Sequence, residues 1–252
     1  MSLNRKPQSL LVQIVDVTLI ELTNWRWTWR TMLLLGVITP LSSMIAAKLL
    51  LNQTRPDDLA FVYCGNVLLC LMFENQHKVG GHFVFMRFHG TLDYFGSLPI
   101  KKLTLIFSMA LAFLVLSIPS VIVVVIGGAV LLGVRLDPHP LVLLIIPLCA
   151  ISLAGLGALV GALARTTAEA TSLGLLVTLV LSGVGAVIIP PDRLPKWLVL
   201  LGALNPATYA SSALRQTLLG GATTYRTNIP ILIGFGIVTF WLAARTIEWQ
   251  KD

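Results

Sequence analysis

The chain has 252 residues, 56% of them apolar and only 12% charged, against roughly 45–50% and 25% in a soluble domain. Too little charge is present to cover a water-facing surface, so a bilayer is the expected medium. The net charge of +7 does not point to nucleic acid, because the basic residues flank apolar runs rather than forming one dense patch. Cys64, Cys70 and Cys149 all fall inside apolar segments, where a thiol behaves as a small hydrophobe; neither a disulfide framework nor a redox centre is expected.

The first element is amphipathic. In residues 8–30 the apolar residues are interrupted by Gln13, Asp16, Glu21 and Asn24, and Trp25, Trp27 and Trp29 follow. A cleavable signal would set a short apolar core directly behind Arg5 and Lys6, so none is expected. Indole rings favour the headgroup boundary, and the stretch reads as an interfacial helix along the cytoplasmic face.

A spanning helix needs about 20 apolar residues to cross roughly 30 Å of hydrocarbon. Six segments are read as spans: 32–51, kinked at Pro40; 59–76, more polar; one within 103–134, bent at Pro119 and Gly127–Gly128; 141–163; 170–189; and 229–247. Glu74, near one end of the second, is a candidate pathway or interface residue, because an ionisable group in a span is costly. Gly157 and Gly161, followed by Gly174, Ser182, Gly183 and Gly185, form a small-residue pattern expected to serve packing within the chain rather than a dimer face. With both termini cytoplasmic, eleven of the eighteen Lys and Arg residues fall inside, and four of the seven outside lie in one long loop; this bias favours that orientation. The expected architecture is a single all-α, polytopic membrane domain over 1–252.

Two connections exceed simple turns. The cytoplasmic one, 77–102, contains Gly90-Thr91-Leu92-Asp93, where Thr91 is expected to cap a short helix and Asp93 to complement its dipole. Leu92, Phe95 and Leu98 recur at helical spacing before Pro99 ends the helix, giving an apolar face expected to dock on a cytoplasmic partner. The external one, 190–228, breaks at Pro190-Pro191 and again at Asn205-Pro206, leaving two helices too short to cross. Such a re-entrant hairpin is tolerated at membrane depth only against protein or a cavity.

The stretch from Arg87 to Lys101, with Gly90-Thr91-Leu92-Asp93 and Leu98-Pro99, resembles the coupling-helix region of type-two ATP-binding-cassette exporter permeases, which include daunorubicin-resistance, Nod-factor and polysaccharide exporters. Leu194-Pro195-Lys196-Trp197, then Leu204-Asn205-Pro206 with Tyr209, and Ala213-Leu214-Arg215 are similar to that family's second hallmark. Where members often carry several charged residues before Gly-Thr-Leu, this chain has Phe83, Phe85 and Phe88 with only Arg87. The resemblance implies a homodimer in the bacterial inner membrane, powered by two copies of a cytoplasmic ATPase that carries the ATP and Mg²⁺. The broken hairpin, with Pro195, Trp197, Asn205, Pro206, Tyr209 and Arg215, is expected to act as an external gate that caps the outer end of the pathway.

No Gly-x-x-x-x-Gly-Lys-Ser/Thr loop occurs in the chain, so phosphate-loop ATP hydrolysis is not expected of it, nor any cofactor or catalytic residue of its own. His77, His82 and His89 do not share a helical face, and Gly80-Gly81 is expected to interrupt any helix there, so no metal site is expected. Two other classes remain as alternatives. A membrane-embedded transferase would need clustered aspartates, whereas only Asp57 and Asp58 are adjacent. An ion-coupled secondary transporter would show mid-span charges and repeated halves. A largely apolar pathway suits drugs, lipids or lipid-linked glycans alike.

Overall fold

The computed structural model describes residues 9–25, 29–50, 56–220 and 225–247, and among these all regular structure is helical. The elements are α1 (Leu10–Trp25), α2 (Trp29–Leu50), α3 (Pro56–Leu71), a π-helical turn (Met72–His77), α4 (Lys78–Phe88), α5 (Thr91–Ser97) and α6 (Lys102–Leu132). They continue with α7 (Val142–Leu163), α8 (Thr167–Gly183), a 3₁₀ turn (Pro191–Arg193), α9 (Lys196–Gly202), α10 (Pro206–Leu218) and α11 (Tyr225–Thr246).

Among the described residues, four helices are long and apolar enough to cross a bilayer: Asp58–Phe88, Lys102–Leu132, Val142–Leu163 and Thr227–Thr246. They correspond to the second, third, fourth and sixth predicted spans. The first and fifth coincide with shorter apolar helices among the described residues, Gly36–Leu49 and Thr167–Gly183. In α8 the cause is visible: its helix ends at Gly183, and residues 184–190 turn instead of continuing to 189. The second span departs from expectation in the other direction. It does not end at Gln76 but runs as helix to Phe88, straight through Gly80-Gly81.

Those glycines are kept in the helix by packing rather than propensity. A Cβ on Gly157 would lie 2.0 Å from the backbone oxygen of Gln76, one on Gly161 2.5 Å from that of Gly80, and one on Gly80 2.9 Å from that of Gly157. The small-residue stripe of α7 therefore brings its backbone directly against α4 and the π turn. Lipid offers little drive for helices to associate, so such close backbone approach is what holds them.

Two large buried clusters fill the bundle, with a small third of Val84, Ala164 and Ala170. One, toward α10, includes Met44, Tyr63, Leu68, Val124, Ile145, Ala210 and Leu214. The other, toward α5, includes Val17, Phe83, Leu92, Phe95, Ile106, Phe113 and Ile247. Helix α1 belongs to the second. Its buried stripe is Gln13, Val17 and Glu21, while Leu11, Val15 and Leu19 face outward. Two of the three buried positions are polar and most outward positions apolar, as an apolar solvent favours, with Asp16 the exposed exception. The tryptophans at 25, 27 and 29 have side chains outside the described residues.

Candidate functional site

Three features carry chemistry: the α4–α5 corner, a polar seam at the π turn, and the α9–α10 hairpin at the opposite end.

The corner turns on Gly90, whose φ of 67° is the left-handed conformation open to glycine at little cost. Gly90, not Thr91, occupies the cap position of α5, and no side chain caps it. Thr91 is already helical, and Asp93 does lie in the first turn. The apolar face expected to be free is not: Leu92 and Phe95 are each 3% exposed and sit in the chain's own buried cluster, with Leu98 packed beside them. The reason is that α5 folds back on α4, and its apolar stripe joins a buried cluster that also takes Leu105 and Ile106 of α6 and Ala243 of α11. What α5 presents outward is Asp93, Tyr94 (62% exposed), Ser97 and Pro99. Phe85 and Phe88 are exposed beside it on α4, with the His89 ring stacked on Phe85 at 3.9 Å.

Arg87, the one cation of this motif, is used internally. Its guanidinium donates to the carbonyls of Ala164 at 2.8 Å, Ala162 at 3.1 Å and Gly161 at 3.4 Å. These are the orphan acceptors and negative dipole end of α7, where a cation is favoured. The corner is thereby clamped to a second span. Nothing in the spacing of the sequence announces that contact.

At the π turn, Glu74 is 1% exposed and pairs with Lys78 one turn on. Its other carboxylate oxygen faces Gly36 of α2, where a Cβ would come within 1.7 Å. Asn75 donates to Leu71 O at 3.2 Å and Ser117 Oγ at 3.5 Å, and Gln76 to Gly174 O at 3.4 Å. One extra residue in a helical turn, crowded with buried polar side chains, is a common mark of functional positions. Beyond it, His82 bonds Glu21 of α1 at 2.8 Å, both buried, and Thr18 donates to Ser108 O at 3.3 Å. These bonds fasten α1 to the bundle. The i, i+4, i+8 spacing of Gln13, Val17 and Glu21 marks the stripe in the sequence, but not its partner. The three histidines part company: His77 lies against Gly174, His82 bonds Glu21, and His89 stacks on Phe85.

The hairpin is held by one residue above all. Asn205, 5% exposed, accepts from Ala207 N at 2.9 Å and so caps α10. Its amide donates to Leu181 O at 2.7 Å and to Val184 O, satisfying carbonyls left open where α8 stops. Pro206 is the first residue of α10, where a missing N–H is harmless. Tyr209 donates to Ala203 O at 2.6 Å, and Ser211 to Val187 O at 2.9 Å. Arg215 stands over the Phe61 ring at 3.7 Å, fixing α10 to α3. Arg193 pairs with Asp58 at 2.5 Å, tying the 3₁₀ turn to the same span. Pro195 precedes α9 and is exposed, as are Trp197, Leu200 and Leu204. The hairpin thus has a clasped inner helix, α10, and an outer helix, α9, whose apolar side chains face away.

The family model described as ABC-2 type transporter matches residues 13–219, a region that contains the corner, the seam and the hairpin. No curated protein matches the chain.

Proposed function

The chain belongs to the ABC-2 type transporter family, a family of multi-pass membrane transport subunits, and from that premise we propose that it is the permease of an ATP-driven exporter. Two copies assemble in a bacterial inner membrane as a six-span homodimer with cytoplasmic termini. Two copies of a separate ATPase bind the ATP and Mg²⁺ and drive the cycle. An amphiphilic drug, lipid or lipid-linked glycan moves outward.

The observation that carries this reading is the build of α5. Its Leu92 and Phe95 are anchored in the bundle, Arg87 clamps its approach to α7, and Asp93, Tyr94 and Ser97 are left outward. A force on that outward face is delivered to α4, through the Arg87 clamp to α7, and into the buried cluster shared with α6 and α11. In this reading the exposed Tyr94 is the aromatic anchor for the ATPase, in place of Phe95. At the other end, paired hairpins close the outer mouth: α10 is rigidly clasped, and the free apolar face of α9 meets its copy across the twofold axis. Of the other classes weighed, only an ion-coupled carrier finds a supporting feature, the buried Glu74–Lys78 pair, and that pair is already neutralised within one helix turn.

Co-purification tests the reading. Tyr94→Glu should abolish recovery of the ATPase while the permease stays inserted and monodisperse; normal recovery would overturn the assignment of this face.

A further inference from the structure

An apolar groove of about 530 Å³ lies between α1, α6, α7 and α11. Leu10 and Ile14 form one wall, Phe107 and Leu148 the floor, and Ile233 and Trp241 the other wall. Ile233 and Trp241 are eight residues apart on one helix, about 12 Å at the helical rise. That depth approaches the roughly 15 Å that one leaflet contributes to a hydrocarbon core of about 30 Å.

The rim of the groove beside Trp241 is cationic. The Arg245 guanidinium stands 3.8 Å over the ring of Trp241, itself a wall residue. Lys102 donates to Ile247 O at 2.5 Å, which draws the start of α6 against the end of α11, and Lys101 beside it is exposed. An apolar slot one leaflet deep beneath basic side chains matches an amphiphile with an anionic head. We propose that the groove binds one acyl chain of an anionic membrane phospholipid, with its headgroup held by Lys101 and Arg245, Lys102 being engaged on Ile247 O. The lipid then wedges α1 against the core of the bundle and belongs to the leaflet that is cytoplasmic in the orientation given above. The site rests on the membrane placement of α11 and not on the identity of the ATPase or the cargo.

The full-length chain, with Trp241 as its only tryptophan, is placed in nanodiscs of neutral phosphatidylcholine. A small fixed fraction of lipid carries brominated tails. Each basic side chain near an anionic lipid is worth about a fivefold preference. With two such side chains, brominated phosphatidylglycerol should quench Trp241 as strongly as about 25 times as much brominated phosphatidylcholine. Lys101→Gln with Arg245→Gln should remove the preference, and Arg245→Lys should keep it. Equal quenching by the two lipids in the unsubstituted rim overturns the proposal, as does a preference that survives the double neutralisation. Quenching by neither lipid would overturn the placement of α11 in hydrocarbon and the lipid site with it.

Discussion

Asn205→Ala removes three hydrogen bonds at once, and the structure separates their contributions. Loss of the α10 cap costs about 1 kcal/mol. The carbonyls of Leu181 and Val184 lose their donor, and each unsatisfied buried acceptor costs about 1 kcal/mol or more. The sum is about 3 kcal/mol, a fall of roughly 6–12 °C in Tm for a chain of this size. Asn205→Ser restores the cap oxygen but neither donor and should lose about 2 kcal/mol. Asn205→Asp also keeps the cap, yet it turns a carboxylate oxygen toward two carbonyls and should be at least as damaging as alanine. Thermal unfolding of the purified permease in one detergent ranks the series. An aspartate variant as stable as the wild type, or a serine variant worse than alanine, would refute the clasp between α8 and α10.

The Glu74–Lys78 pair should show strong coupling in a double-mutant cycle: Glu74→Gln or Lys78→Met alone costs about 3–5 kcal/mol by stranding a buried charge, and both together cost less than the sum. Gly157→Ala should destabilise the monomer by about 2 kcal/mol or more, since its Cβ would meet the rigid backbone of Gln76; lost dimerisation with unchanged monomer stability would place this stripe at the twofold interface instead. The native cysteines are fully buried, so Leu204→Cys, at an 85% exposed position, provides a single reactive thiol. It should form a disulfide between copies that blocks efflux until reduced, and free efflux from the crosslinked dimer would remove the gate.

Legibility in the sequence followed the solvent. Apolar length located four of the six expected spans as helices long and apolar enough to cross, while 32–51 and 170–189 coincide with shorter ones among the described residues. It failed where backbone meets backbone: Gly80 and Gly81 read as a break, yet the close approach of Gly157 and Gly161 keeps the helix running to Phe88. Leu92 and Phe95 were legible as one face of a short helix, but periodicity is silent on whether a partner or the chain itself covers that face. The break at Asn205-Pro206 was legible from proline stereochemistry, and its need for protein partners from the lack of water. That one amide meets the need by bridging to α8 is a tertiary fact. The same holds for Arg87 on the end of α7, for Gly36 receiving Glu74, and for Glu21 on His82. Each joins residues remote in sequence.

The most direct test replaces Tyr94 with a photocrosslinking amino acid in native membranes, with Trp197 as the site at the opposite end. The account predicts that Tyr94 captures a nucleotide-binding subunit and Trp197 does not. Capture of that subunit from Trp197, or from neither position in a complex that transports, would contradict the placement of the drive on the outward face of α5.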